Sequence, residues 1–306
     1  MRHTTICLLA LTLGCATEKS SSGGDTGDGG GGGGGGGGST DISGFINVTD
    51  APVGNLSCFT GALGVETAAA GCVAQRPMSG LVTDFQDGDP VDDATVEIFM
   101  NDVIDGPPDN IYESDPNGVF SAEVNACEPF TYRISTDPLL DQTKVTIESH
   151  DVMPNMGPIT PTHEVNSVSS VTYALIPGLL GLNPDPDKGI VAGRAYDCDG
   201  ENLQGLQVVV RDSSGRVPDG VVGKYFVDDF PKREQMHTSE DGLWILMDVP
   251  PGQWTVDGYV ADGAGGHSLV ASTQLKVLEN SINISSIYTG ISDGVKMPSE
   301  CLTACN

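Results

Sequence analysis

Two stretches of this chain spell one pattern, and that repeat limits the possible folds more than any other feature. The first runs Ser79-Gly80-Leu81-Val82-Thr83-Asp84, then Gly88-Asp89-Pro90-Val91-Asp92-Asp93-Ala94, then Thr95-Val96-Glu97-Ile98-Phe99. The second runs Ala192-Gly193-Arg194-Ala195-Tyr196-Asp197, then Asp199-Gly200-Glu201-Asn202-Leu203-Gln204-Gly205-Leu206, then Gln207-Val208-Val209-Val210-Arg211. Each reads as a strand, a short polar turn and a second strand with alternating apolar positions. Downstream, Ser114-Asp115-Pro116-Asn117-Gly118-Val119-Phe120 answers to Ser239-Glu240-Asp241-Gly242-Leu243-Trp244. In both, an acidic turn with a glycine delivers an aromatic residue at the start of a strand, the glycine supplying a positive φ. Pro-containing corners follow at Pro129-Phe130-Thr131-Tyr132 and at Pro250-Pro251-Gly252-Gln253-Trp254.

These motifs resemble the carboxypeptidase regulatory-like domain over about residues 76–150 and 188–290. The resemblance implies an all-β chain of two tandem seven-stranded β-sandwiches of the Ig-like, transthyretin-like type. Repeat two departs at Leu206, where alanine is usual, and carries a longer excursion at residues 212–238. Repeat one has Cys127 where the Pro-x-Gly corner is expected. In that family the module carries no peptidase residues, so the resemblance speaks to fold and says little about activity.

The N-terminus bears on location. Arg2 and His3 precede the apolar run Ile6 to Leu13, followed by Gly14 and Cys15. A basic start, a short apolar core and a small residue make an export signal, too short to span a bilayer as a mature helix. The Cys placement resembles a bacterial lipoprotein signal, which implies lipidation at Cys15. Thr12 and Leu13 depart from that pattern, and an ordinary secretory signal with Cys15 as a plain thiol is the alternative. Residues 16–40 follow, with Ser20-Ser21-Ser22 and the glycine run Gly29 to Gly38. They offer almost no apolar surface and read as a disordered tether with an r.m.s. reach of about 28 Å. The glycine run satisfies glycine-rich phosphate motifs trivially, and no strand–helix context supports one.

Fourteen Lys and Arg oppose 42 Asp and Glu, a formal net charge of −28. That excess excludes nucleic acid and anionic headgroups as partners. It suits a solvated acidic surface, with attraction of Ca²⁺ as the sharper reading. Abundant Gly and Pro with few helix-forming blocks agree with an all-β chain. Six cysteines follow the tether, Cys58, Cys72, Cys127, Cys198, Cys301 and Cys305, an even number that reads as disulfides in an exported protein. Their pairing stays open: Cys58 with Cys72 closes a local loop, and Cys198 with Cys301 or Cys305 ties in the tail.

The expected organisation is a signal with its lipidation cysteine at 1–15, a tether at 16–40 and a first sandwich with N-terminal extension at 41–152. A connector at 153–187, a second sandwich at 188–290 and a Cys-containing tail at 291–306 complete it. In the extension Phe45, Ile46 and Val48 suggest an extra edge strand. In the connector, Val168, Val171, Leu175, Leu179 and Leu182 recur at helical spacing and predict a short amphipathic helix, shortened or kinked at Pro177-Gly178. A buried extended segment is the competing reading.

Catalytic patterns are weak. His150, His163, His237 and His267 stand in no H-E-x-x-H. Gly290-Ile291-Ser292-Asp293-Gly294 matches G-x-S-x-G, but no histidine follows it and no helix is in prospect. Asp185 with Asp187, and Asp197 with Asp199, place alternate carboxylates in Gly-containing loops, candidates for Ca²⁺, and no other cofactor is implied. Among aromatics that could stack on sugars, Trp244 and Trp254 fall at core positions. Tyr225 and Phe226, in the excursion of repeat two, are the candidates expected to be exposed. Regulatory-like folds also underlie some metal oxygenases with Tyr and His ligands, but Tyr132, Tyr173, His150 and His163 are scattered here. The sequence therefore implies a non-catalytic, lipid-anchored envelope protein at the outer membrane or cell surface. Its role would be structural, adhesive or ligand-binding, toward an extracellular glycan or protein. A carbohydrate-binding protein and an enzyme with an unrecognised metal site are the alternatives.

Overall fold

The computed structural model describes residues 39–305 except 101, 103, 140, 141 and 156–161. The export signal, Cys15 and most of the tether lie outside the described residues. The first half contributes β1 (Ala74–Asp84), β2 (Thr95–Met100), β3 (Asn110–Glu113), β4 (Val119–Ala126), β5 (Pro129–Ser135), β6 (Thr143–Val152) and β7 (Thr162–Ser169). Helix α1 (Ser170–Leu180) follows. The second half contributes β8 (Gly189–Tyr196), β9 (Gln207–Arg211), β10 (Val222–Val227), β11 (Phe230–Lys232) and β12 (Leu243–Val249). It closes with β13 (Gly252–Ala261), β14 (His267–Val277), β15 (Ser281–Ile284) and β16 (Ile287–Tyr288).

The chain is all-β, and each half is a β-sandwich. In the first, β4–β1–β7 faces β3–β2–β5–β6; in the second, β14–β13–β9 faces β11–β10–β12–β8–β15. Strand β1 pairs antiparallel with β4 and parallel with β7, and β8 pairs likewise with β12 and β15. Strands β2 and β9 pair with β5 and β13 in the same way. One exchange separates the halves: β3 joins β2, whereas β10 joins β12 on the opposite layer.

The repeat is physical down to single atoms. Gly80 pairs with Phe120 and Gly193 with Trp244. A Cβ at Gly80 would lie 2.1 Å from the Phe120 ring, and one at Gly193 would lie 1.9 Å from Ser285 O and 2.7 Å from Trp244 Cζ2. Each glycine is the space its aromatic partner fills. Ser114 Oγ accepts from Ala94 N (2.9 Å) and donates to Val91 O (2.7 Å). Thr238 Oγ1 accepts from Leu206 N (2.9 Å) and donates to Leu203 O (2.6 Å). Thr238, rather than Ser239, is therefore the counterpart of Ser114, which shifts the sequence alignment by one residue. Leu206, at the position where alanine is usual, occupies the place of Ala94 and is fully buried in the second core.

The halves are not merely tandem. Parallel pairing of β15 with β6, from Ser281↔Val145 to Ile284↔Glu148, runs one sheet through both sandwiches. Its strand order is β11–β10–β12–β8–β15–β6–β5–β2–β3. An edge strand that would otherwise expose unpaired backbone groups is thus covered by the other half.

The extension and tail cross over. Residues 41–73 were expected with the first sandwich, but Phe45, Val53, Leu56 and Phe59 pack on the second core. Buried Gln207 fixes them: its Oε1 accepts from Asn47 N and Val48 N, both at 2.8 Å, and its Nε2 donates to Val48 O at 2.9 Å. The expected edge strand is a turn, in which Phe45 N and Ile46 N both donate to Ile42 O. The tail packs Val295, Met297 and Cys301 beside Cys127 and Val152 of the first half. The six cysteines pair as Cys58–Cys198, Cys72–Cys305 and Cys127–Cys301, at sequence separations of 140, 233 and 174. No Cys58–Cys72 loop forms, and Cys198 meets the extension rather than the tail. Closing such long loops costs the unfolded chain entropy, about 2–4 kcal/mol per bridge in that account.

Helix α1 forms where expected. Ser169 Oγ caps Thr172 N, and Gly181 ends the helix at φ 73° with its N–H on Gly178 O. The buried face differs from the expected one. Thr172, Pro177 and Leu180 are buried, while Val171, Leu175 and Leu179 are 75%, 43% and 48% exposed. The helix is apolar on both sides, so periodicity alone could not select the face.

Replacing Thr238 by Val orphans the Leu206 amide and the Leu203 carbonyl. It should cost about 1–3 kcal/mol, whereas Thr238→Ser should retain most of the stability. Urea unfolding midpoints of the two variants check this.

Candidate functional site

The outer face of β8, β10, β12 and β15 is apolar, with Ile190, Phe226, Leu243, Ile245, Met247 and Ile282 forming one cluster with Val168 and Leu180. Helix α1 covers that face incompletely. A cleft of about 350 Å³ remains, with Phe85, Tyr173, Ile176 and Phe226 among its walls. Alternate residues of β8 grade its floor from Ile190 and Ala192 to Arg194 and Tyr196. Glu148, Asn166 and Ser286 add polar groups to its lining. The volume falls in the range of small-molecule sites, and an apolar body with a few placed polar groups is their usual composition.

Glu148 is the principal ionisable group there. Its carboxyl accepts from Asn166 N (3.2 Å) and Asn166 Nδ2 (3.4 Å). Burial, reinforced by the nearby Asp151 charge, pushes it up to about 7 against the pull of Asn166 and His163. His163 Nε2 lies 2.5 Å from Asp151 Oδ2. Burial alone would lower the His163 pKa, and Asp151 more than reverses that. Beyond these stand Tyr132, whose hydroxyl is raised by burial, then by Asp151 and Glu148, and Tyr288, raised to about 12 chiefly by burial. Tyr288 stacks on Tyr196 with ring centroids 5.1 Å apart.

A second cleft, of about 330 Å³, lies where the halves meet and is polar, with Asp102, His150, Gln274, Lys276 and Asp293 around it. His150 has φ +68°. Its Nδ1 sits 2.9 Å from Asp102 Oδ2 and its Nε2 2.5 Å from the carbonyl of Gln274 on β14. Both neighbours are acceptors, so both ring nitrogens must carry protons and the imidazolium is the form that fits. Burial would lower the His150 pKa, but the Asp102 bond and charge, the Gln274 carbonyl and Asp293 together raise it.

The candidates from sequence distribute as follows. Tyr225 and Phe226 were expected exposed and are buried, at 4% and 7% exposure. Tyr225 points between the layers, where its hydroxyl accepts from Val208 N at 2.8 Å and burial raises its pKa. Phe226 lines the cleft under α1. Trp244 is a core residue, and Trp254 packs on the core with Nε1 donating to Pro250 O. The four aspartates hold turns. Asp185 Oδ1 accepts from Asp187 N, and Asp185 N donates to Asp248 Oδ1. Asp197 Oδ1 accepts from the amides of Asp199 and Glu201, and Asp199 Oδ2 accepts from Asn55 Nδ2. Among the described residues no three His, Cys, Asp or Glu side chains gather as a metal site. Of the scattered Tyr and His residues, only Tyr132 and His163 meet, at 5.8 Å between centroids. Ser292 sits in a turn, its hydroxyl donating to Gly64 O. Glu148 and Asn166 escaped the sequence reading because locally they are ordinary polar positions of alternating strands.

No family model matches this chain, and no curated protein does. Among solved structures, the Bacillus anthracis TIE protein overlaps 71% of this chain and 34% of its own at 14% identity and TM-score 0.24. The chain thus spans about a third of that protein. The shaft pilin SpaA from Lactobacillus rhamnosus GG overlaps 71% of this chain and 98% of its own at 8% identity and TM-score 0.24. Hydroxyquinol 1,2-dioxygenase from Pseudomonas putida DLL-E4 overlaps 41% and 68%, at 15% identity and TM-score 0.22.

Two pH dependences follow. Glu148 binds its proton more tightly folded than unfolded, so between about pH 4.5 and 7 its contribution falls as pH rises. Glu148→Gln should remove that fall and gain about 1–3 kcal/mol at pH 8 relative to pH 4. His150 has a raised folded pKa, so its contribution is full below the unfolded value near 6.5 and is lost as pH rises through the folded value. Asp102→Asn should flatten that loss. Thermal unfolding across pH 4 to 9 separates the two windows.

Proposed function

We propose that this chain is an exported, lipid-anchored, non-catalytic module of the bacterial cell envelope. It holds two carboxypeptidase regulatory-like sandwiches as one stiff body for a structural, adhesive or ligand-binding role at the outer membrane or cell surface. The observation that carries the reading is the cysteine pairing. The six cysteines beyond the tether satisfy one another, which leaves only Cys7, inside the apolar run, and Cys15, at its end. Long-range disulfides persist in oxidising compartments, which agrees with export. A lone cysteine after a short apolar segment then suits lipidation better than a seventh thiol. Among the described residues no helix is long and apolar enough to cross a membrane. The acidic surface keeps such a body soluble and away from anionic headgroups, and the glycine tether gives it reach.

Expressed in a diderm host, the wild-type chain should fractionate with membranes and release a triacylated Cys15 peptide. Cys15→Ala should move it to the soluble envelope fraction with all three disulfides intact. Retention of Cys15→Ala in the membrane, or a mature N-terminus elsewhere, contradicts the anchor.

A further inference from the structure

We propose that the cleft beneath α1 is a binding site for a small organic amine, an ammonium group on an apolar or aromatic body. The assignment concerns the folded domain alone and stands apart from the anchoring.

Charge is the first argument. Glu148 lines the cleft, and behind it, outside the lining, Asp151 is bonded to one histidine, His163. With all three ionised the group carries one negative charge in excess. Glu148 forms no ion pair among the described residues, and its only hydrogen-bond partner there is Asn166. An enclosed carboxylate whose only hydrogen-bond donors are those of Asn166, with His163 acting through its charge alone, is costly, and a cation beside it relieves that cost. An ammonium group supplies both the charge and the donors that Asn166 leaves unfilled.

Shape is the second argument. A dry cavity of about 150 Å³ holds a benzene molecule. The 350 Å³ here leaves room for a ring with a short arm. Phe85, Tyr173, Ile176 and Phe226 supply the wall for the ring, and Glu148, level with Ala192 through their shared neighbour Ile284, receives the arm. Arg194 also lines the cleft, but its guanidinium already has Asp229 Oδ1 at 4.0 Å. That neighbour tempers its pull on a competing carboxylate ligand.

The test uses the mature, non-reduced protein at pH 8 with three probes that share one body: 2-phenylethylamine, 2-phenylethanol and 3-phenylpropionate. Calorimetry and saturation-transfer NMR read binding. The amine should bind with one-to-one stoichiometry, at least tenfold tighter than the alcohol or the acid. Glu148→Gln should abolish that preference while leaving weak binding of the alcohol. Ile176→Trp, which fills the cleft from the helix side, should remove binding of all three, with circular dichroism confirming the fold of both variants. Tighter binding of the acid would make Arg194 the recognition group and overturn the proposal. Amine binding unchanged in both variants, or no binding of any probe, would overturn it as well.

Discussion

The parallel pairing of β15 with β6 is the contact on which the rest depends. Four residue pairs, Ser281↔Val145 to Ile284↔Glu148, join two sandwiches that could each have ended at an open edge. Because β15 also pairs with β8, from Ile282↔Ile190 to Ile284↔Ala192, a late strand of the second half becomes the middle of a sheet spanning both. The crossing of the termini follows from the same arrangement. With the halves side by side, the extension can reach the second core and the tail can reach the first, and the three disulfides fasten those visits.

The same junction produces both clefts. Glu148 sits at the register position opposite Ile284, so the sheet that joins the halves also carries the carboxyl to the floor of the cleft under α1. His150, two residues further along β6, reaches Gln274 on β14 of the other half. Enclosure is what raises Glu148, whereas at His150 it acts the other way and is outweighed by Asp102, the Gln274 carbonyl and Asp293. The joint therefore carries Glu148 at one cleft and His150 at the other.

What the sequence disclosed was local. Alternation in Thr95 to Ile98, the turn glycines Gly118 and Gly242 at positive φ, and the inward Phe120 and Trp244 follow from strand and turn geometry, which neighbouring residues encode, whereas Gln207 to Val210 is buried throughout. Ser114 aligned with Ser239 by residue type, but its counterpart is Thr238, because side-chain bonding rather than residue identity sets that equivalence. The long-range facts were hidden. Nothing near Ser281 announces Val145 as its neighbour, and six cysteines admit too many pairings for spacing to choose. Tyr225 and Phe226 looked exposed because they lie in an excursion, but that excursion contains strands β10 and β11, and both residues belong to β10. In α1, apolar residues on both faces left the inward side undetermined, and the outward Val171, Leu175 and Leu179 show that tertiary packing made the choice.

One rigid body should melt as one. Differential scanning calorimetry of the non-reduced mature protein tests this most directly. The account predicts a single transition whose calorimetric and van't Hoff enthalpies agree, since neither sandwich can lose its share of the common sheet alone. Two resolved transitions, or a calorimetric enthalpy about twice the van't Hoff value, would show two independent domains and contradict the shared sheet.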